Sequence, residues 1–553
     1  MLVERLRSRA RDAALAASVL RATGVGRALR PSGLVSFALA ARGSKIGPHL
    51  APMLHAHMHP EKECLVEPTA GGVRRLTYGQ FDAAANRLAH ALVARGVRGG
   101  DRVALMLPNG IEYIVAQASL PRIGTTVVQI GYRLKPAEVA YILGNAQPAA
   151  TVVHADYLDT VLEARREAGQ RDPLLVVGAA PGEARAERLE DAVVSAPGDR
   201  PPRIASDDSG GMIIYTSGTT GKPKGASRNW RQTGMQAVAD LMLQVGMSSD
   251  DRHLVMCPLY HSAAPAFVAM AMALGATVVL MNHFDPEAAL AMIQREHITS
   301  TLAVPTQLVR LCALPEEVRR RYDTSSLRWV VSGAAPLATE TARVFMDQFG
   351  PILWNFYGAT ETGLVTLAGP DDHVSRPGTI GRAVLGNQIR LLDEHGAAVA
   401  PGQVGELYAR NSMLIAGYHR NPEATQASMK DGFFSVGDLA RVDDEGYYYL
   451  ESRKHDMVIS GGVNIYPREI EDRLHEHPNI LEAAVVGVPD PEWGESLRAY
   501  VVPRPGQALS EAEVIEWTRA SLSDFKRPRS VVFLDELPRN PTGKVLKREL
   551  RAR

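Results

Sequence analysis

The chain has 553 residues, 45% of them hydrophobic and 22% charged, and this length predicts two or more domains because it exceeds what one hydrophobic core supports. Lys plus Arg and Asp plus Glu balance at 61 each, which excludes a global field that would draw the protein to nucleic acid. The cysteines, Cys64, Cys257 and Cys312, lack the spacing of a zinc site or a disulfide framework and favour a reducing compartment such as the cytoplasm.

The first 50 residues are predicted to form a basic extension. Their first 30 positions hold seven arginines against Glu4 and Asp12. Apolar residues recur there at helical spacing and indicate an amphipathic helix: Leu2, Leu6, Ala13, Ala17 and Leu20. A helix packed on the rest of the protein, a peripheral contact with a membrane and a transit peptide all fit this pattern. No apolar run approaches the roughly 20 residues of a membrane-spanning helix.

From Leu76 onward, helical and strand-like patterns alternate, which predicts parallel sheets covered by helices. The first series has helices over 76–97, from about Ile111 and over 136–143, and strands over 101–110, 125–131 and 149–155. The second series has strands over 253–259, 276–281, 299–305 and 327–333. The segment between the two series, 178–208, is predicted to be a surface connection.

The pattern changes after about Gly378 to short strands and tight turns, which indicates a smaller β-rich subdomain. The last hundred residues have a βα pattern of their own. The predicted fold class is therefore α/β, with three parts. They are a basic extension (1–50), a large domain of two helix-covered sheets plus the β-rich subdomain (51–452), and a small mobile α+β C-terminal domain (453–553).

The strongest chemical signal is the segment Tyr215–Gly225, YTSGTTGKPKG, which follows a strand-like run. Glycines let a backbone approach a ligand closely, hydroxyls donate hydrogen bonds and lysines supply positive charge, so this composition suits a polyphosphate. The segment is not a Walker A loop, because two residues instead of four separate Gly218 from Gly221 and Pro223 follows Lys222. The nucleotide chemistry should therefore differ from that of a P-loop hydrolase.

This loop resembles the phosphate-binding signature of the adenylate-forming acyl-CoA synthetases, a superfamily that includes luciferases and peptide-synthetase adenylation domains. Further segments match that family's motifs in its order: PLYHSAA (258–264), SGAAPL (332–337), NFYGATETG (355–363), FSVGDL (434–439), SRKHDMVISGGVNIYPREIE (452–471) and PRNPTGKVLKR (538–548). The resemblance runs from about Leu76 to the C-terminus. Seven motifs in order are highly specific.

The resemblance implies an ATP site. The implied phosphate-loop residues are Thr216, Ser217, Gly218, Thr219, Thr220, Gly221, Lys222 and Lys224. Gly333, Ala334 and Ala335 resemble the turn that lines the adenine pocket, and Tyr357, followed by Gly358, resembles the residue that stacks on adenine. Thr360 resembles the α-phosphate contact, Thr216 and Glu361 resemble the Mg²⁺ site, and Asp438 and Arg453 resemble the ribose contacts. A carboxylate beside phosphates needs a bridging divalent cation.

Lys544 resembles the lysine that bridges the acid's carboxylate and the α-phosphate, where one mobile cation neutralises two anions. Gly461 and Gly462 resemble a glycine pair that lies along the pantetheine of CoA. The family's hinge, usually Asp or Lys, is His455 in this sequence. Because a hinge acts through backbone torsion, activity is still expected, although a histidine would change charge near pH 6.5. His261 corresponds to a gate of the acyl site, and a packed histidine fits it equally well.

The sequence therefore predicts an ATP-dependent acid–CoA ligase that uses Mg²⁺ and forms an acyl-adenylate and then an acyl-CoA. A medium- to long-chain fatty acid is the favoured substrate, and aryl and branched acids stay open. The small apolar residues of 263–274 suit a fatty-acyl tunnel wall and a core helix equally. Transfer of the acyl-AMP to a carrier protein and a non-catalytic nucleotide or acyl sensor are the alternatives. The expected location is cytoplasmic, with membrane association and a homodimer left open.

Overall fold

The structure is a computed structural model that describes residues 2–42, 47–69, 71–178, 186–201, 210–216, 223–230, 232, 234–461, 463–540 and 543–553, with side chains from Arg11 onward. The chain divides into two compact units. Unit 1 comprises residues 1–302, 321–328 and 412–427, and unit 2 comprises residues 303–320, 329–411 and 428–553.

The α-helices of the described residues are numbered in chain order. They are α1 Leu2–Ala22, α2 Pro31–Ala41, α3 Leu50–Met58, α4 Tyr78–Ala94, α5 Ile111–Ser119, α6 Pro136–Ala146, α7 Leu158–Glu167, α8 Leu189–Val194, α9 Met235–Val245, α10 Ala263–Leu274, α11 Pro286–Glu296, α12 Pro305–Cys312, α13 Glu316–Arg319, α14 Thr339–Phe349, α15 Pro370–Ser375, α16 Pro422–Ala427, α17 Pro467–His475, α18 Glu511–Arg519 and α19 Lys547–Arg551. Within the part of the chain described here, none of them combines the length and the apolar character that crossing a bilayer requires.

The strands are numbered in the same way. They are β1 Glu63–Thr69, β2 Gly72–Thr77, β3 Arg102–Met106, β4 Thr126–Gln129, β5 Ala150–His154, β6 Leu174–Val177, β7 Ala186–Arg188, β8 Gly211–Thr216, β9 Lys224–Asn229, β10 Arg252–Val255, β11 Thr277–Leu280, β12 Ser300–Ala303, β13 Trp329–Ser332, β14 Leu353–Ala359, β15 Gly363–Ala368, β16 Thr379–Ala383, β17 Gln388–Leu392, β18 Gly405–Arg410, β19 Gly417–Tyr418, β20 Met429–Lys430, β21 Phe433–Phe434, β22 Asp438–Val442, β23 Tyr448–Arg453, β24 Val458–Ser460, β25 Val463–Ile465, β26 Ile480–Asp490, β27 Gly494–Pro503 and β28 Ser530–Phe533. Helices and strands alternate as the sequence predicts, so the α/β class is confirmed.

Unit 1 contains two sheets with parallel centres. One has the order β2-β1-β11-β10-β12, and the other has the order β19-β9-β8-β4-β3-β5-β6-β7. Strands β3, β4, β5, β6, β7 and β8 run parallel, whereas β8 and β9 form an antiparallel pair. All four residues of β11 are buried, as expected for a strand whose sheet is covered on both faces. The carboxyl ends of the parallel strands meet at one edge, where α/β proteins commonly bind ligands.

The predicted surface connection over 178–208 is wrong for part of its length. Among its described residues, β7 pairs in parallel with β6, and α8 buries Leu189 and Ala192. The prediction failed because β7, Ala-Glu-Arg, has none of the β-branched or aromatic residues that mark strands. Backbone pairing at a sheet edge leaves no such signal in the sequence.

Unit 2 is built on mainly antiparallel strands. β13 and β14 are parallel, and β14-β15-β16-β23-β22-β18 follow as antiparallel neighbours. This arrangement agrees with the predicted β-rich region after Gly378. The last residues form a five-stranded sheet, with β26 and β27 as its long hairpin and α17 and α18 beside it. Ile470 and Leu474 of α17 are fully buried in the core of that sheet.

Candidate active site

The predicted phosphate loop joins the antiparallel strands β8 and β9. Thr216 ends β8 and lies opposite Lys224, which begins β9, and the Thr216 hydroxyl donates to the Lys224 carbonyl oxygen at 3.4 Å. β8 lies parallel to β4, so Thr216 stands at the carboxyl edge of the sheet, the edge expected for a ligand site. The Lys224 ammonium is 5.2 Å from the centre of the Tyr418 ring. The remaining predicted residues, Ser217, Gly218, Thr219, Thr220, Gly221 and Lys222, lie outside the described residues.

The predicted adenine turn follows β13 in unit 2. A β-carbon at Gly333 would lie 2.2 Å from a ring carbon of Phe356, so this position requires glycine. Ala334 has a φ of 67°, in the left-handed region that a non-glycine residue rarely adopts. Such strain is usually maintained at binding sites. Ala335 completes the turn, which is packed closely against the strand that carries Tyr357.

The turn between β14 and β15 holds the next group of predicted residues. Tyr357 is buried, and a β-carbon at Gly358 would lie 2.0 Å from the carbonyl oxygen of Gly363, so the two strands are too close for a side chain there. Thr360 is half-buried, and Glu361 is only 7% exposed. The Ala359 amide donates to the Thr362 hydroxyl at 3.1 Å and fixes the turn. A hydroxyl and a buried carboxylate thus occupy adjacent positions.

Tyr357, Asp438 and Arg453 form one hydrogen-bonded group, the Asp438 cluster. The Tyr357 hydroxyl donates to Oδ2 of Asp438 at 2.8 Å, and Nε of Arg453 lies 3.1 Å from Oδ1. Asp438 begins β22 and Arg453 ends β23, where the two residues are directly opposite each other in the ladder. Burial and the adjacent Asp438 carboxylate raise the pKa of Tyr357 well above its ordinary value, so the phenol stays protonated and donates. The structure therefore brings these three predicted residues together.

Lys544 belongs to unit 2, like the Asp438 cluster, and lies in a turn that is held by hydrogen bonds to Asn540. Its amide donates to the Asn540 side chain at 2.9 Å, its carbonyl accepts from the Asn540 amide at 2.9 Å, and Gly543 has a φ of 81°. Burial and the positive charge of Arg453 lower the pKa of Lys544 to about 8, against the opposing effect of Asp438 and Asp456. The charges of the Asp438 cluster therefore act on the Lys544 ammonium.

The turn is also held to α12. The carbonyl oxygen of Gly543 accepts a hydrogen bond from the Thr306 hydroxyl at 3.4 Å. Thr306 lies in the first turn of α12, immediately after Pro305. Thr306 was not predicted from the sequence, because a threonine in the first turn of a helix has no distinctive pattern. This contact places the Lys544 turn against a residue more than two hundred positions earlier in the chain.

His455 lies two residues beyond Arg453 and is half-exposed. Its Nε2 is 3.7 Å from the Asp456 carboxylate. Burial lowers the pKa of His455, opposed by Asp456 and assisted by Arg453, Lys544 and Arg551, so its change of charge occurs below the value of 6.5 that the sequence suggests. Gly461 has a φ of 56°, and a β-carbon there would lie 2.8 Å from the Trp493 ring. Gly462 lies outside the described residues.

His261 lies in unit 1 between β10 and α10. Its ring centre is 4.2 Å from that of Tyr260, which is buried. Tyr260 meets Tyr132 edge-on at 5.2 Å, and Tyr132 stacks on Tyr157 at 5.1 Å. These tyrosines were not predicted from the sequence. A usable signal exists for two of them, since Tyr132 and Tyr157 each follow the end of a parallel strand by three residues.

Arg468, on α17, is a further residue that was not predicted from the sequence. Its Nη2 donates to the carbonyl oxygen of Leu337, immediately beyond the adenine turn, and its Nε lies 3.1 Å from Asp472. Its Nη1 is buried without a hydrogen-bond partner among the described residues. A guanidinium held this way ties α17 to the adenine turn. An arginine in the first turn of a helix would ordinarily be taken for a solvated surface charge.

Two family models match the chain. The model described as AMP-binding enzyme covers residues 54–419, and the model described as AMP-binding enzyme C-terminal domain covers residues 469–544. The chain is 35% identical over 501 residues to the feruloyl-CoA synthase of an Amycolatopsis species, which covers 89% of this chain and 98% of that protein. It is 32% identical to a long-chain-fatty-acid–CoA ligase of Mycobacterium tuberculosis, covering 90% of this chain and 96% of the relative.

A solved structure gives the same result. The amide bond synthetase McbA of Marinactinospora thermotolerans matches with a TM-score of 0.80 and 29% identity, over 89% of this chain and 96% of that one. The predicted superfamily and its large and small domains are thereby confirmed, whereas these proteins differ in the acids or products that their names state. The chain belongs to the AMP-binding enzyme family, in the class of AMP-forming acid–CoA ligases.

Proposed function

We propose that this ligase activates a medium- to long-chain fatty acid through an acyl-adenylate. The observation that carries the activation step is the hydrogen-bonded Asp438 cluster, which lies in the same unit as the Lys544 turn. A carboxylate resists attack because its charge repels nucleophiles and oxide leaves poorly. Reaction of the acid with the α-phosphorus of ATP releases pyrophosphate and leaves an acyl group on AMP, which is a good leaving group. Lys544 neutralises both anions as they approach.

The Asp438 cluster would hold the nucleotide for this step. Asp438 accepts hydrogen bonds from the vicinal hydroxyls of the ribose, because an ionised carboxylate has acceptors only. Arg453 and the Tyr357 hydroxyl keep that carboxylate in place, while the Tyr357 ring stacks on the adenine between β14 and the turn at Gly333–Ala335. Thr360 donates to the α-phosphate.

We further propose that Glu361 binds Mg²⁺ with the ATP phosphates, while Thr216 stays a prediction from the sequence. A buried carboxylate is a hard oxygen donor of the kind that this ion prefers. Bound there, the ion would neutralise phosphate charge and orient the pyrophosphate leaving group. Substitution of Glu361 by Gln should remove that charge and raise the Mg²⁺ concentration needed for half-maximal pyrophosphate release.

The thioester step would follow a rotation of the C-terminal residues about His455. The CoA thiolate then attacks the acyl carbonyl and AMP leaves with the bonding electrons. Thiolates are strong nucleophiles with a free pKa near ~8.5, so the step needs no dedicated base from the protein. Gly461 and Gly462 would lie along the pantetheine, where the absence of side chains leaves room for an extended ligand.

The fatty acid is supported by the basic N-terminal segment and by the ligase of Mycobacterium tuberculosis to which the chain is similar. The apolar helix α10 gives weaker support than the sequence suggested. Eight of its twelve residues are buried and it packs on α3, β10 and β11, which favours a core helix, and only the small Ala266 and Ala269 are exposed. An aryl acid is the second candidate, favoured by Tyr132, Tyr157 and Tyr260 beside His261.

A panel of acids with ATP, Mg²⁺ and CoA tests the proposal, with pyrophosphate, AMP and thioester measured separately. Saturated acids of increasing chain length should give thioester at higher kcat/KM than ferulate or indoleacetate. Preference for the aryl acids would overturn the fatty-acid assignment and leave the ligase class intact. Release of AMP without thioester would indicate a different acceptor, such as a carrier protein, and binding without pyrophosphate release would indicate a sensor.

We also propose a cytoplasmic location with contact between the N-terminal segment and a membrane. Cys64 and Cys257 are buried thiols that form no disulfide among the described residues, which suits a reducing compartment. The described side chains of α1 are mostly exposed, and the helix contacts α9, where Gln236 donates to Asp12 at 2.9 Å. Fractionation of cells into soluble and membrane material, with a high-salt wash, would test this location.

A further inference from the structure

Helix α2 has its apolar face outward. Leu34, Val35 and Leu39 are 40%, 62% and 69% exposed, and Ala38 between them is exposed as well. The preceding Leu29 is 37% exposed. A surface helix of a globular protein normally turns its apolar residues inward. A contiguous apolar patch on the outside therefore indicates an interaction surface.

The helix is fixed on the protein and is not a loose tail. Gly33 is its buried residue, and a β-carbon there would lie 2.6 Å from the Met58 sulfur and 2.9 Å from the His57 carbonyl oxygen, so α2 and α3 are in close contact. At the C-terminal end of α2, the Arg200 guanidinium donates to the carbonyl oxygens of Ala40 at 2.5 Å and Arg42 at 2.9 Å. These contacts present the outward face in one orientation.

The segment that contains this face is basic. No Asp or Glu occurs from residue 13 to residue 60. The exposed arginines that flank α2 are Arg21, Arg27, Arg30 and Arg42. Arg30 has a loose partner, since its guanidinium is 3.8 Å from Glu61. Apolar side chains framed by arginines match the boundary between headgroups and acyl chains in a bilayer that contains anionic lipid.

We infer that the outward face of α2, formed by Leu34, Val35, Ala38 and Leu39 with the flanking arginines, docks on an anionic lipid bilayer. A second copy of the chain is a poorer occupant, because two such faces would bring their flanking arginines together. The inference deepens the membrane contact proposed above and rests on it. It assigns the apolar insertion to α2 instead of α1, and it is independent of which acid the enzyme activates.

Co-sedimentation of the full chain with vesicles tests the inference. Vesicles of phosphatidylcholine with phosphatidylglycerol should bind the protein, added salt should weaken the binding, and phosphatidylcholine alone should bind it poorly. The double variant Val35→Asp with Leu39→Asp should lower the partition coefficient about tenfold or more, because two charges would enter the acyl boundary. Arg27→Gln with Arg42→Gln should weaken binding to anionic vesicles selectively.

Val194→Asp is the matched control. Val194 ends α8 in the same unit and is 80% exposed, so the change adds a charge at an exposed valine away from α2. It should leave vesicle binding unchanged. Equal binding by wild type and the α2 variants would overturn the inference. A wild type that is dimeric in solution, with α2 variants that are monomeric, would overturn it as well. Thioester formation from a dissolved acid should be equal in wild type and the α2 variants. Absence of thioester in all of them would contradict the proposed function, whereas a failure of docking would appear only in the binding to vesicles.

Discussion

Lys544 is the residue whose protonation should govern the first half-reaction. Its pKa is lowered to about 8 by burial and by Arg453, so the ammonium is present below that pH and is lost as the pH rises through it. The kcat/KM for ATP in pyrophosphate release should therefore fall above about pH 8. That ratio reports the free enzyme, so the decline in kcat should lie at higher pH, where bound phosphates stabilise the ammonium. Lys544→Arg should abolish the alkaline decline, because arginine stays charged.

The same residue separates the two half-reactions. Lys544→Ala should slow pyrophosphate release about 100-fold or more and leave the conversion of supplied acyl-AMP to thioester unchanged. The two reactions are followed by pyrophosphate and by thioester absorbance. An unaltered first step in the alanine variant, or an alkaline decline that persists in the arginine variant, would refute the role assigned to the ammonium.

Tyr357→Phe should test the Asp438 cluster without removing the aromatic ring. Loss of the hydrogen bond to Oδ2 of Asp438 leaves a buried carboxylate less firmly held, so the KM for ATP should rise about tenfold while kcat changes little. The matched control is Tyr449→Phe, because Tyr449 also donates to an aspartate, Asp443 at 3.1 Å. A similar KM in both variants would show that the Tyr357 hydroxyl does not position Asp438.

At the residue scale, the sequence identifies candidates only where a residue belongs to a motif. Asp438 and Arg453 lie fifteen positions apart in the sequence, and the structure places them directly opposite each other on adjacent strands. The sequence cannot reveal the hydrogen bond from Tyr357 to Asp438, because that bond depends on packing between distant strands. Arg468 was missed for the same reason, since its partner is a backbone carbonyl with no sequence signal.

The short connection after β23 is the element expected to act as a hinge. His455→Pro should impair thioester formation far more than pyrophosphate release, because proline fixes φ and restricts the torsions of Lys454 before it. His455→Ala should preserve both half-reactions, since it keeps the torsions free. Stopped-flow measurement of each half-reaction distinguishes these outcomes. Equal loss of both in the proline variant would argue against a hinge at this position.

Helix α17 should stabilise the conformation that forms the acyl-adenylate, through the contact of Arg468 with the residue beyond the adenine turn. Arg468→Ala removes the bond to the Leu337 carbonyl and should slow pyrophosphate release about tenfold, with no loss in the thioester step. Arg473→Ala is the control on the same helix, since Arg473 pairs with Glu476 at 2.6 Å and covers the Trp517 ring. If Arg468→Ala and Arg473→Ala give the same rates of pyrophosphate release and of thioester formation, Arg468 contributes only to the stability of the fold.

At the element scale, strongly patterned segments are predicted well and weakly patterned ones are not. α4 falls within the predicted 76–97 because its apolar residues repeat with helical period and Thr77 and Gln80 cap its start. β7 was missed because its pairing comes from the backbone. For α10, composition could not distinguish a tunnel wall from a core helix, since both are apolar; only the observed burial separates them.

The N-terminal segment should divide into a dispensable part and a structural part. Deletion of residues 2–20 should change the Tm by no more than about 2 °C, because the described side chains of α1 are mostly exposed. Deletion of residues 2–42 should lower it by about 5 °C or more, because Thr23 and Val25 are buried and the Ser249 amide donates to the Thr23 carbonyl at 2.8 Å. Differential scanning fluorimetry measures both, and equal Tm values would contradict the division.

The pairing of Asp438 with Arg453 has a mechanical consequence. These two residues form one rung of the β22–β23 ladder, and His455 follows that rung after a single intervening residue. The proposed hinge at His455 therefore lies next to the two residues that would bind the ribose. A bound nucleotide would hold this rung in place while the residues beyond His455 rotate. An extra residue inserted after Arg453 would lengthen the connection to His455. The proposed rotation would then no longer bring Lys544 to the same position relative to the bound nucleotide.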